Sequence, residues 1–154
     1  MNQPEILIVG AGGMGALFGS ILHENGLKVV LYDTNTEHIR AIQQAGLKIE
    51  GYGGDRTIPI AATSNLSELE SAEIIIFQCK SHGTRQASKA VKPLITQKSV
   101  CISFQNGLGN EEVMAEELGN DFVMGGLTAM AGVLLDPGKI RDFSRVPSHI
   151  GEMR

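Results

Sequence analysis

The sequence predicts an α/β fold organised on one doubly wound, mostly parallel sheet with an antiparallel carboxyl-terminal part. First, Ile6–Val9 is an uninterrupted apolar run typical of a strand buried on both faces. Second, strand-like runs and helical patterns alternate over most of the chain. Third, residues 122–151 are rich in strand and turn patterns. A chain of 154 residues suits one domain, and we expect residues 1–154 to form it.

The first strand runs directly into a glycine-rich stretch with the spacing G-x-G-x-x-G. Gly10 allows a sharp turn out of the strand, Gly12 lets a pyrophosphate approach a backbone without a Cβ, and Gly15 lets the next helix pack closely. The free N–H groups at that helix start favour phosphate. This pattern predicts a Rossmann-like dinucleotide site. The residues predicted to contact the cofactor here are Gly10, Ala11, Gly12, Gly13, Met14 and Gly15.

An acidic residue follows the second predicted strand. The first helix is predicted over residues 13–25 with Gly26 as its cap, and the second strand over residues 28–32. Asp33 then lies 18 residues after Gly15, close to the spacing of an acid that binds the adenosine ribose. A carboxylate accepts hydrogen bonds from the ribose diol and repels a 2′-phosphate, so Asp33 favours NADH over NADPH. The alternative is a helix cap or a solvated turn residue.

The remaining elements continue the alternation. Residues 34–37 resemble a capping box for a helix that ends near Ala45. Two short strands around a glycine-rich turn, residues 47–49 and 57–60, suggest a hairpin or two strands that flank a loop. Asp136-Pro137-Gly138-Lys139 is a strong turn signal. The other predicted strands are residues 73–79, 99–104, 122–130, 133–135, 140–143 and 148–151, and the other helices are residues 83–92 and 111–118, with one helical turn within 65–71.

Two polar residues follow buried strands at the carboxyl edge of the predicted sheet, where ligands bind in open parallel sheets. Lys80 is placed to meet phosphate, ribose or a substrate anion, and the alternative is a solvated lysine. Asn106 offers a donor and an acceptor, and the alternative is a simple Asn-Gly turn. His82 is more consistent with a helix start than with a catalyst, since no neighbouring residue would activate it.

Composition excludes several classes of protein. The net charge of -4 and pI near 5.5 argue against a nucleic-acid partner. The apolar opening stretch is too short and glycine-rich to span a bilayer, and residues 1–5 do not form a signal peptide. Cys79 and Cys101 fall in predicted buried strands and suggest reduced core thiols in a cytoplasmic protein. Nothing in the pattern predicts a metal site.

Several motifs together resemble the amino-terminal domain of the ketopantoate reductases (2-dehydropantoate 2-reductases). The segment QNGLGNEE at residues 105–112 is the most specific, and residues 10–15, 78–80, 124–126 and 136–138 fit in order. The resemblance implies NADPH-dependent reduction of 2-dehydropantoate, a 2-keto acid. It also implies that Lys80 lies near cofactor and substrate, that Asn106 contacts the nicotinamide end and the substrate, and that Ala131 touches the cofactor through its backbone.

The family also has a helical second domain that supplies the proton-donor lysine. No catalytic residue is therefore expected within residues 1–154. We expect an isolated domain, a proteolytic fragment or a truncated gene product that binds a dinucleotide and turns over poorly. An apolar face left near the carboxyl edge or on the late strands would favour a homo-oligomer.

Asp33 departs from the NADPH-using members, which usually carry a basic or neutral residue there. An NADH-dependent 2-hydroxyacid dehydrogenase of the same family is therefore an alternative. A non-catalytic module that senses NAD(H) is another. A sugar- or glycerol-phosphate dehydrogenase fits residues 105–109 less well.

Overall fold

The computed structural model describes residues 2–153 and contains two sheets and four helices among them. The helices are α1 (Gly13–Glu24), α2 (Thr36–Ala45), α3 (Thr84–Val91) and α4 (Asn110–Leu118). The strands are β1 (Ile6–Val9), β2 (Val29–Tyr32), β3 (Leu47–Gly51), β4 (Arg56–Ile58), β5 (Ala61–Thr63), β6 (Ile74–Phe77), β7 (Val100–Ser103), β8 (Val123–Leu127), β9 (Ala131–Asp136), β10 (Lys139–Ser144) and β11 (His149–Glu152). Short 3-10 turns lie at Leu66–Glu68, Ser81–Gly83, Lys92–Leu94 and Asn120–Phe122.

The main sheet has seven strands in the order β11-β8-β7-β6-β1-β2-β5. All neighbouring pairs are parallel except β8 and β11, which are antiparallel. The chain order reverses beside β1, so the sheet is doubly wound and its carboxyl edge is the expected place for a ligand. The predicted fold class is confirmed.

Both faces of β1 are buried, as predicted. Ile8 packs in one apolar cluster with Leu17 of α1, whereas Leu7 packs in a second cluster with Val91 of α3 and Met114 of α4. Successive strand residues point to opposite faces, so one central strand anchors the helices on both sides. This double anchoring fixes the loop that follows β1.

The late strands do not simply extend the main sheet. β9 and β10 join the β3–β4 hairpin in a separate four-stranded sheet of order β4-β3-β10-β9, with β10 parallel to β3. Only β11 supplies the expected antiparallel finish. In this second sheet β9 packs directly against the start of α1, since a Cβ at Gly13 would lie 2.6 Å from the Cα of Val133.

The hairpin and the Asp136–Lys139 turn are confirmed, but two details are corrected. The strand predicted at residues 57–60 ends at Ile58, and a further strand, β5, adds to the sheet edge beside β2. Pro59 separates the two strands because it has no N–H for a ladder. The cap of α2 is Asn35, which accepts the His38 N–H at 3.1 Å, rather than Thr34.

Both cysteines are free thiols. Burial raises the pKa of the Cys101 thiol to about 12, and burial also raises the pKa of Cys79. Both groups are therefore protonated and poorly nucleophilic at neutral pH. Within residues 2–153, no helix combines the length and apolar character needed to cross a membrane.

Candidate functional site

A cleft of about 480 Å³ lies at the carboxyl ends of β1, β2 and β6. Its walls are Gly10 and Gly12 after β1, residues 32–34 at the end of β2, and residues 78–80 after β6. One face of α3 closes the side. The structure thus brings the glycine stretch, Asp33 and Lys80 into one concavity, at the edge where the parallel sheet predicted a ligand.

The three motif glycines have different physical roles in this cleft. Gly10 has a φ of +97°, and a Cβ there would overlap the Cys79 backbone N. A Cβ on Gly15 would overlap the Gly10 carbonyl oxygen, so Gly15 permits the close approach of α1 to β1. Around Gly12, in contrast, no heavy atom lies within 4 Å of a built Cβ. Gly12 therefore faces open space in the cleft, which suits the approach of a phosphate.

Asp33 lines the cleft directly after β2. Its Oδ1 accepts the Asn35 backbone N–H at 2.9 Å, so Asp33 does stabilise the local turn. This one bond leaves the carboxylate capacity for a ligand hydroxyl, because an ionised carboxylate has about four acceptor positions. The adjacent Tyr32 phenol has a raised pKa, chiefly through burial and then through the Asp33 charge, so it remains a neutral hydroxyl.

The other predicted site residues are placed in different ways. Lys80 is exposed and lines the cleft, whereas Asn106 and Ala131 are exposed on neighbouring segments outside its lining. The Ser81 hydroxyl donates to the Asn106 carbonyl at 2.8 Å and links that segment to the one that carries Lys80. Next to Ala131, a Cβ on Gly132 would lie 2.9 Å from the Gly13 carbonyl oxygen, so β9 adjoins the glycine stretch.

Two residues of the glycine stretch have buried or partly buried side chains. Ala11 is fully buried in the core, and Met14 packs against the same cluster. Their side chains therefore stabilise the loop, and any contact with a ligand falls to their backbone atoms. The roles of all the predicted contact residues stay predictions.

Sequence reasoning missed the α3 wall of the cleft. Gln86, Ala87 and Ala90 line it together with Gly83. Their spacing places them on one helical face, and the small side chains of Ala87 and Ala90 leave room beside the sheet. That spacing is the signal from which this wall could have been found.

Sequence reasoning also missed His38, a residue that is only 1% exposed. The Gly138 N–H donates to Nδ1 at 2.9 Å, so Nε2 carries the proton and donates to the Ala11 carbonyl at 2.8 Å. One neutral imidazole therefore links the glycine stretch to the β9–β10 turn. The position of His38 beside Ile39 and Ile42 on the core face of α2 was the available signal.

The family model described as ketopantoate reductase PanE/ApbA matches residues 6–154. The chain belongs to the ketopantoate reductase family. Its 2-dehydropantoate 2-reductase relative from Lactococcus lactis is 31% identical over 141 residues, which covers 90% of this chain and 45% of the relative. The ketopantoate reductases are oxidoreductases, and the resemblance inferred from residues 105–112 is confirmed at the family level.

Solved structures agree with this assignment. The 2-dehydropantoate 2-reductase of Geobacter metallireducens superimposes with a TM-score of 0.88 at 27% identity, covering 96% of this chain and 48% of that one. D-mandelate dehydrogenase with NADH and anilino(oxo)acetate gives a TM-score of 0.83 at 25% identity, with 94% and 46% coverage. The chain thus spans slightly less than half the length of each of these proteins.

Proposed function

We propose that this chain binds a nicotinamide dinucleotide and serves as the cofactor-binding part of a reductase that converts 2-dehydropantoate to pantoate. The observation that carries this proposal is one cleft that combines the open backbone at Gly12 with the Asp33 carboxylate at the neighbouring strand end. A phosphate can approach the backbone N–H groups of a helix start that has no Cβ in the way, and ribose hydroxyls can donate hydrogen bonds to a carboxylate. The cleft therefore fits the pyrophosphate and the ribose of an adenosine diphosphate group.

Each group has a defined role in this proposal. The backbone of residues 10–15 holds the pyrophosphate, and Asp33 accepts the ribose hydroxyls. The Lys80 ammonium adds positive charge near the cofactor or the substrate carboxylate, and the Asn106 amide orients the nicotinamide or the substrate by hydrogen bonds. A bound nicotinamide supplies the hydride for the ketone carbon. The proton donor is expected from the other half of the longer relatives.

An NADH-dependent 2-hydroxyacid dehydrogenase of the same family is the second candidate. Two observations favour it: the Asp33 carboxylate in the cleft, and the likeness to D-mandelate dehydrogenase with NADH. A screen of 2-keto acids would separate the two candidates. It needs a protein that contains this chain and is as long as the family relatives. Preferred reduction of 2-dehydropantoate supports the first candidate, and preferred reduction of another 2-keto acid supports the second.

Cofactor choice is tested by calorimetric titration of the chain with NADH and with NADPH. We expect NADH to bind about tenfold more tightly, because the Asp33 carboxylate attracts the ribose diol and repels a 2′-phosphate. The Asp33→Ala variant should lose about tenfold in NADH affinity and most of this preference. Asp121→Ala, which removes an exposed carboxylate from a 3-10 turn, is the matched control and should bind as the wild type does.

The opposite results have clear meanings. Tighter NADPH binding would show that Asp33 does not read the ribose, and the NADPH-dependent ketopantoate reductase would be the better description. A wild-type chain that binds neither dinucleotide contradicts the proposal that residues 2–153 form the cofactor site by themselves.

The late strands carry several exposed apolar side chains, from which we propose that the chain self-associates. The most exposed are Leu127 on β8 at 72%, Ile150 on β11 at 57% and Phe143 on β10 at 55%. Exposed apolar side chains promote association. Sedimentation velocity should show a dimer or larger species at high concentration, reduced by Leu127→Lys. A strictly monomeric wild-type chain would contradict this expectation.

A further inference from the structure

A hydrogen-bonded row of buried polar side chains connects the segment after β6 to the segment after β7. Gln105 is 9% exposed, Thr84 1% and Asn110 3%. Gln105 Nε2 donates to the Cys79 carbonyl at 2.8 Å and to the Thr84 Oγ1 at 2.8 Å. The Thr84 hydroxyl donates in turn to Asn110 Oδ1 at 3.0 Å. We call Gln105, Thr84 and Asn110 the polar relay.

The relay ends on the backbone of Asn106. Asn110 Nδ2 donates to the Asn106 carbonyl at 3.1 Å, and the Ser81 hydroxyl donates to the same oxygen at 2.8 Å. Gly107 and Gly109, which both follow Asn106, have φ values of +99° and +88°, so this loop follows a path that other residues rarely adopt. The backbone that carries the Asn106 side chain is therefore held from two directions.

The hydrogen-bond directions in the relay have one consistent solution. The carbonyls of Cys79 and Asn106 at its two ends only accept, so each amide turns its NH₂ group towards them. Asn110 then presents Oδ1 to Thr84, whose hydroxyl must donate to it and accept from Gln105. Reversing either amide would turn its oxygen towards a carbonyl oxygen and leave buried acceptors facing each other, which costs roughly 1–3 kcal/mol.

From this geometry we propose that the polar relay positions Asn106 relative to Lys80 and thereby sets the affinity for the nicotinamide half of the dinucleotide. The inference rests on the proposed function, since it needs a dinucleotide in the cleft. The relay residues act through the backbone of other residues, so they are positioning residues. Thr84 and Asn110 are the first residues of α3 and α4, so the relay also joins those two helix starts.

The relay should have little influence on the adenosine half. That half is assigned to Asp33, which follows β2, and to the glycine stretch between β1 and α1, whereas no relay hydrogen bond is made to those residues. A ligand with adenosine, pyrophosphate and ribose but without nicotinamide should therefore not respond to relay variants. ADP-ribose is such a ligand, and its comparison with NADH separates positioning from a general loss of structure.

The experiment is calorimetric titration of the chain with NADH and ADP-ribose, alongside urea unfolding. Thr84→Val keeps the side-chain shape but removes the hydroxyl in the middle of the relay. We expect NADH to bind about tenfold more weakly, which is the scale of one lost buried hydrogen bond. The affinity for ADP-ribose should change by less than about twofold. Thr84→Ser keeps the hydroxyl and should restore NADH binding to within about twofold of the wild type.

Ser81→Ala keeps the test decisive if Thr84→Val does not fold, because Ser81 is exposed and its loss leaves the relay itself intact. It should weaken NADH binding by about threefold, which is the scale of one exposed hydrogen bond. The affinity for ADP-ribose should stay unchanged. Equal weakening of both ligands, or no change in either, overturns the inference. If the wild-type chain binds neither ligand, the proposed function fails, and the relay inference fails with it. A changed NADH affinity with constant ADP-ribose affinity supports both.

Discussion

Gly15→Ala is expected to destabilise the chain by about 3 kcal/mol or more, a large share of the stability of a small domain. The new Cβ would overlap the Gly10 carbonyl oxygen and lie 3.1 Å from Ile8 Cγ2. Backbone atoms cannot yield as a flexible side chain can, so α1 must move away from β1. Because β1 anchors both core clusters, the cost should appear as a lower urea midpoint for the whole chain.

Gly12→Ala is the matched control, because it adds the same methyl group to the same glycine stretch at a position where no heavy atom lies within 4 Å of the new Cβ. Gly12 has a φ of −63°, which alanine adopts without strain. Its stability should stay within about 1 kcal/mol of the wild type. If the pyrophosphate approaches this backbone as proposed, NADH binding should nevertheless fall at least about tenfold.

The pair thus separates folding from binding within one motif. Urea unfolding reports the first effect, and calorimetric titration of the folded variant reports the second. A Gly15→Ala chain with wild-type stability would show that α1 does not need this close approach. A stable Gly12→Ala chain with undiminished NADH affinity would place the phosphates elsewhere.

His38→Leu is expected to cost about 3 kcal/mol of unfolding free energy. The ring is buried, and its loss leaves the Gly138 N–H and the Ala11 carbonyl without their imidazole partner. Each unsatisfied buried backbone group costs roughly 1–3 kcal/mol, whereas leucine replaces most of the apolar volume. The effect should be a lower urea midpoint with an unchanged slope.

His149→Leu provides the control because His149 lies exposed on the edge strand β11. A surface substitution of this kind should change the stability by less than about 0.5 kcal/mol. If His38→Leu changes the unfolding free energy as little as this control does, the imidazole does not hold the glycine stretch to the β9–β10 turn. A large effect of His38→Leu alone would support that link as a structural requirement of the cleft.

The sequence predicted the parts of this protein that depend on local patterns. The apolar run before Gly10 predicted a doubly buried strand, and the glycine spacing predicted a sharp turn and a close helix. Asp33 and Lys80 follow such strands, so their presence at one edge of a parallel sheet also followed from the sequence. The segment at residues 105–112 indicated the ketopantoate reductase family, which the family match confirms.

Only the tertiary structure decided which distant segments meet. β10 pairs with β3 across roughly ninety residues of sequence, and no local pattern specifies that pairing. His38 and Gly138 meet for the same reason, as do Thr84 and Asn110. Local residue spacing determines strands, helices and turns. Contacts between separate elements depend instead on how their buried faces pack. That packing brings together the residues whose hydrogen bonds support the cleft.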